Sequence, residues 1–141
     1  MPDCIFCKIV SKEIPSDVIY EDNDTLVFAD IHPVNLGHVL VIPKTHYQNL
    51  YDLPDDVLAQ MMKASKMISG KIKQATKAEG INIEMNNDSA AGQLVFHAHI
   101  HIIPRFSHDG FIHWKGPLFT SEQIKGTAEK IRVELQKWKT I

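Results

Sequence analysis

The chain of 141 residues contains no apolar run approaching the length needed to span a bilayer, and its start, MPDCIFCKIVSKEIP, has no long apolar core behind a basic segment. Neither a membrane span nor a secretory leader is expected, and the cytoplasm is the expected compartment. Net charge is also nearly absent. A formal value of −2 argues against a general nucleic-acid binder, although a local basic cluster could still meet a phosphate group. No internal repeat, low-complexity tract or linker divides the sequence, and its length suits one domain over residues 1–141 with a sizeable core. With 44% hydrophobic and 23% charged residues, the composition is that of a soluble globular protein and excludes a disordered one.

Cysteine is scarce: Cys4 and Cys7 are the only two, and they form a CxxC pair. In a reducing compartment such a pair reads as metal ligands or a redox couple, and the redox reading lacks its usual βαβ context here. Zinc is favoured, but CxxC supplies only two of about four ligands. The remaining two must come from elsewhere, and the eight histidines are the obvious source.

What the sequence does have is a concentration of those histidines. QLVFHAHIHIIPRF, residues 93–106, sets His97, His99 and His101 at alternate positions. Read as a strand, it places Leu94, Phe96, Ala98, Ile100 and Ile102 on one apolar face and the imidazoles on the other. Buried imidazoles are costly without partners and titrate near neutrality, so the row suggests a metal, a phosphate or proton transfer.

Around this segment the pattern gives an α+β domain of about five antiparallel strands, a long helix and a C-terminal helix, with the helices on one side of the sheet. A turn or short helix covers Cys4 to Val10, and DVIYEDNDTLVFADI reads as a hairpin turning at Glu21 to Asp24. A third strand runs from His38 to Ile42. From Pro54 to Glu79, the positions Val57, Met61, Ala64, Ile68, Ile72 and Ala75 recur at helical spacing, with Met61, Met62 and Met67 as core filler. INIEMNN resumes alternation and should pair antiparallel with the histidine strand. SHDGFIHWKGP reads as a loop in which His108 and His113 are solvated. The last helix starts at Thr120 with Gln123 completing a capping box, and its stripe of Ile124, Ala128, Ile131, Leu135 and Trp138 offers a face to bury.

CIFCKI, FADI, GHVLVIPKTH and NNDSAAGQLVFHAHIHIIPR follow one another in an order that resembles the histidine triad (HIT) family, and HAHIHII resembles its signature. The likeness covers roughly residues 4–105 and leaves the C-terminal loop and helix, 106–141, outside. It implies a nucleotide-binding hydrolase acting at the α-phosphate of a purine nucleotide conjugate, such as a phosphoramidate, an acyl-adenylate or a dinucleoside polyphosphate. By that resemblance His99 is the nucleophile that forms a nucleotidyl-histidine, and His101 and His38 contact the phosphate and share protons. Asp30 would receive the ribose hydroxyls, and Asn86 and Gln93 the phosphate and sugar side. Ile5, Phe6, Ile9, Phe28 and Ile31 would form the base slot; without the family they would be core residues. Zinc would be structural, held by Cys4, Cys7, His46 and His97.

The resemblance also implies a homodimer formed through the long helix and a strand edge, and leaves no role for nucleic acid or membrane. Leu94 departs from the pattern. It stands where the phosphoramidase branch commonly has serine or threonine, and its even place in the histidine strand would turn it into the core. Alternatives stay open at this point: His97 and His99 chelating one metal between them, a nucleotide-binding regulatory or scaffold protein with incidental turnover, or a nucleotidyltransferase with an acceptor in place of water.

Overall fold

A computed structural model describes residues 3–139 of the chain, the side chains of 138 and 139 excepted. The described residues fall into two compact units, one ending at Gly110 and one starting at Phe111.

The first unit is built on a five-stranded antiparallel sheet. Its strands are β1 (Val18–Glu21), β2 (Thr25–Ala29), β3 (Val39–Pro43), β4 (Gly80–Glu84) and β5 (Ile100–Arg105), in the order β1-β2-β3-β5-β4. The hairpin turns where expected, because Oδ1 of Asp22 accepts the backbone N–H groups of Asp24 and Thr25 at 2.9 and 2.8 Å. The register sets Leu40 opposite His101 and Glu84 opposite His101 from the other side, so the third histidine sits between β3 and β4.

Alternation along the strands splits the core in two. Val27, Val39, Val41, Ile100 and Ile102 face α2 (Asp55–Thr76), which contributes Met61, Ala64, Ile68 and Ile72. Leu26, Phe28, Leu40 and Ile42 face the other way and pack against Phe6 and Ile9 of α1 (Ile5–Val10). Helices therefore cover both faces, not one as the pattern suggested. A six-residue helix beginning in CxxC leaves too weak a periodicity to be assigned a face from sequence.

Three other expectations change. α2 ends at Thr76, where Lys77 turns left-handed at φ 58°, so Ala75 stays exposed and Ala78 is buried in its place. Of the three methionines only Met61 is core; Met62 and Met67 are 45% and 44% exposed. The histidine segment is a strand only from Ile100. Ahead of it, Ala98 is buried and its N–H bonds the carbonyl of Tyr47 at 2.7 Å, but Leu94 is 89% and Phe96 40% exposed. Alternation that looks continuous in sequence belongs to an irregular loop up to Phe96, so Leu94 is no core residue.

The second unit consists of a segment without regular secondary structure and α3 (Ser121–Lys139). Its capping box is formed: Thr120 N–H donates to Oε1 of Gln123 at 2.9 Å and Gln123 N–H to Oγ1 of Thr120 at 3.1 Å. Of the stripe expected to be buried, Ile124, Ile131 and Leu135 are all more than half exposed and Ala128 is half-buried. The Trp138 side chain lies outside the described residues. His108 and His113 are exposed, as expected of a loop. Among the described residues no helix is long and apolar enough to cross a membrane.

Candidate active site and metal centre

A cavity of about 560 Å³ opens on the α1 face of the sheet. Its apolar wall includes Ile5, Phe6, Ile9, Phe28 and Ile31, and its polar wall Asp30, His38, Asn86, His99 and His101. The fold thus brings together ten residues singled out in the sequence. Gln93 is not among them. Its Oε1 accepts the N–H of Asp88 at 2.9 Å, and its Nε2 donates to the carbonyls of Gln48 at 2.7 Å and Val95 at 3.1 Å. Both ends of this buried amide are spent on backbone, so it braces the loop instead of facing a ligand. Leu40 and Val95 also line the cavity and were missed. The sequence carried a signal for Leu40, which alternation places on the same face as Phe28 and His101.

The chemistry of each imidazole follows from which ring nitrogen the backbone occupies. Nδ1 of His99 lies 2.7 Å from the carbonyl oxygen of His97, an acceptor only, so Nδ1 carries the proton and Nε2 keeps its lone pair. His38 is the reverse case: its Nδ1 accepts the N–H of Val34 at 3.1 Å, which leaves the proton on Nε2. That proton points at Nδ1 of His101, 2.9 Å away, with Oδ2 of Asp30 at 3.5 Å. His101, accepting at Nδ1, must hold its own proton on Nε2. Burial lowers the pKa of His99 and His38, and burial with the two neighbouring imidazoles lowers His101 to about 4. All three are neutral near pH 7, one as a lone-pair donor and two as an oriented proton chain.

Gly37 delivers His38 to this position. It has φ +101°, and a Cβ there would lie 2.8 Å from Cγ2 of Thr76 and 3.3 Å from Cγ of Pro104. A residue with a side chain would be strained and crowded at once.

A second cluster lies beside the first. Cys4 is the N-cap of α1, its sulfur accepting Cys7 N–H at 3.3 Å. Nδ1 of His97 is 3.4 Å from Sγ of Cys4 and 3.6 Å from Sγ of Cys7, and Nδ1 of His46 is 3.4 Å from Sγ of Cys7. A tetrahedral zinc with bonds of about 2.3 Å to sulfur and about 2.0–2.1 Å to nitrogen requires sulfur–nitrogen edges of about 3.5 Å, so the four residues fit. The ring orientation fits as well. Nε2 of His97 donates to the carbonyl of Pro43 at 2.8 Å, the outer contact a ligating histidine needs, and frees Nδ1 for the metal. Burial and the adjacent Cys4 raise the Cys7 thiol, so a bound cation would be what holds that sulfur as a thiolate.

Asp30, His38 and His101 also come within 4.8 Å of one another and resemble a ligand set. Tautomers exclude it: with Val34 N–H on Nδ1, the neutral His38 ring has no lone pair at Nε2 to give. Chelation of one ion by His97 and His99 is likewise not supported, because Nδ1 of His97 faces the thiols and Nδ1 of His99 faces a carbonyl.

Residues 11–108 match the family model described as "HIT domain". Similarity to the adenosine 5'-monophosphoramidase of Candida albicans is 36% identity, covering 95% of this chain and 92% of that protein. A solved protein of Streptococcus mutans superposes with a TM-score of 0.90 at 43% identity, over 96% of this chain and 87% of its own. A zinc-bound histidine triad family protein of Mycobacterium smegmatis has a TM-score of 0.76 at 40% identity, covering 83% and 85% of the two chains.

Proposed function

Because the chain belongs to the HIT domain family, we propose that it hydrolyses purine nucleotide conjugates at the α-phosphate through a nucleotidyl intermediate on His99. The family and its phosphoramidase relative support nucleotide hydrolysis in general. The observation that carries the finer reading is the lone pair on Nε2 of His99, fixed by the 2.7 Å bond from Nδ1 to the carbonyl of His97.

In the first step Nε2 of His99 attacks phosphorus and a P–N bond forms while the bond to the leaving group breaks. The leaving group takes its proton from solvent water, while the 2.9 Å contact from His38 holds His101 with its Nε2–H turned toward the phosphate. Charge on the non-bridging oxygens is met by the Nε2–H of His101, since the one N–H of His38 is spent on His101. In the second step water attacks phosphorus, the P–N bond breaks, and the nucleoside monophosphate leaves. Asp30, with Oδ1 held by His32 N–H at 2.8 Å, keeps an oxygen for the ribose hydroxyls. The base occupies the apolar wall, where edge contact between Phe6 and His99 at 5.2 Å closes the slot onto the nucleophile.

Zinc held by Cys4, Cys7, His46 and His97 would be structural, supplying cross-links and no chemistry on substrate, because four protein donors leave no open position. Residues 4–105 form the catalytic core in this reading. Sheet-edge strand β4, with Ile83 45% exposed, and the exposed Met62 and Met67 of α2 support a two-fold dimer in a cytoplasmic protein. Light scattering tests the dimer.

The functional test is release of AMP from adenosine phosphoramidates, acyl-adenylates and dinucleoside polyphosphates. Turnover of at least one class, abolished by His99→Ala, is expected. Tight nucleotide binding with no turnover on any class would favour a binding protein instead.

A further inference from the structure

Asp109 lies in the stretch read from sequence as a loop, yet its side chain is only 7% exposed. Its Oδ2 accepts Nδ2 of Asn35 at 2.8 Å and the N–H of Phe106 at 3.0 Å, and its Oδ1 pairs with Arg105 at 2.9 Å. Asn35 also donates to the carbonyl of Pro104 at 2.9 Å. A buried carboxylate with this many donors is a fixed point, and what it fixes is the loop that enters β3. In that loop the carbonyl of Asn35 accepts His38 N–H at 3.0 Å, and the preceding residue, Val34, gives its N–H to Nδ1 of His38 at 3.1 Å.

We infer that Asp109 and Asn35 are positioning residues that select the tautomer of His38. The chain of causes is short. Asp109 anchors the Asn35 side chain to the end of β5; Asn35 anchors the turn; the turn aims Val34 N–H at Nδ1; and an occupied Nδ1 forces the His38 proton onto Nε2, toward His101. His101 lies in β5 and Asp109 in the turn that follows it, so the proton acceptor and the anchor that orients its donor are four residues either side of Arg105. Without the anchor, His38 can carry its proton on Nδ1 and offer His101 a lone pair, and two acceptors then face each other across 2.9 Å.

The consequence for turnover rests on the hydrolase reading; the tautomer does not. Nitrogen NMR of the metal-loaded protein reads it directly, since the two neutral tautomers give different Nδ1 and Nε2 shifts. Wild type should show His38 with Nδ1 unprotonated and Nε2 protonated. Asn35→Ala and Asp109→Asn should mix the tautomers and lower kcat, by up to about the 10²-fold that an ångström of misplacement costs, with KM nearly unchanged. Ser107→Ala is the control. It removes the 2.6 Å bond to Glu79 from the same turn without touching Asn35, and should leave the tautomer alone however it shifts the melting point.

If Asn35→Ala proves unstable, the milder Asp109→Asn still gives the tautomer reading. A His38 spectrum unchanged in both variants, or kinetic losses that merely follow melting temperature in all three, overturns the inference. A tautomer that mixes as described in a protein that turns over no nucleotide would sustain the inference and sink the hydrolase reading alone.

Discussion

His97 and His99 stand two residues apart on one segment, yet the backbone holds them by opposite nitrogens. Pro43 takes the Nε2 proton of His97 and turns Nδ1 to the thiols, whereas the His97 carbonyl takes the Nδ1 proton of His99 and leaves Nε2 open to the cavity. One imidazole becomes a metal ligand and the other a nucleophile without any difference in side-chain chemistry. Which ring nitrogen a backbone carbonyl occupies decides the role. The comparison also orders the dependence between the two regions, because the metal side supplies the carbonyl that orients the nucleophile, and among the described residues no hydrogen bond from His99 orients a residue of the metal side.

The largest effect should come from the cavity side. His99→Ala should lower turnover by on the order of 10⁴-fold or more, as removal of a covalent nucleophile does, while nucleotide binding measured by calorimetry persists. His101→Ala should cost less. Turnover retained in His99→Ala on every active substrate would erase the distinction between the two histidines.

On the metal side the effect should fall on stability. Replacing Cys4 and Cys7 together by serine should abolish bound zinc in elemental analysis and lower Tm by on the order of 10 °C, corresponding to about 2–3 kcal/mol. Turnover should fall in part, through Phe6 and the His97 carbonyl, not vanish. An unchanged metal content would place the zinc elsewhere.

Smaller still is the expected cost of Gly37→Ala, about 1–3 kcal/mol from the left-handed backbone and the contact with Thr76, read by denaturant unfolding. It sharpens the comparison because it should disturb His38 and leave zinc content unaltered. Leu94→Ser should cost the least, within about 0.5 kcal/mol, since the side chain is 89% exposed. A loss of several kcal/mol would return Leu94 to the core. A gain on phosphoramidates with Tm unchanged would identify it as a determinant of the leaving group.

The sheet and the long helix were legible from periodicity, and CxxC and the triad from residue types with narrow uses, whereas His38 and His46 were reached only through the family resemblance. His97 through Ile102 alternate as read, with Ala98, Ile100 and Ile102 in the α2 core. Leu94 and Phe96 share that alternation and are not strand residues, because a period of two needs a partner strand to become a ladder and sequence does not show where pairing starts. Gln93 illustrates the other limit. A polar residue beside a candidate site reads equally well as ligand contact or loop brace, and only its bonds to Gln48, Asp88 and Val95 decide. Asp109 and Asn35, 74 positions apart, are joined by topology alone.

Locating the covalent adduct tests the central claim most directly. Wild-type protein mixed with an adenosine phosphoramidate, quenched in alkali during a single turnover and examined by phosphorus NMR and by mass spectrometry of its peptides, should carry adenylyl on Nε2 of His99. An adduct on Nδ1 of His99, on His101, or on no histidine during a turnover that releases AMP would contradict the assignment of roles by backbone carbonyls.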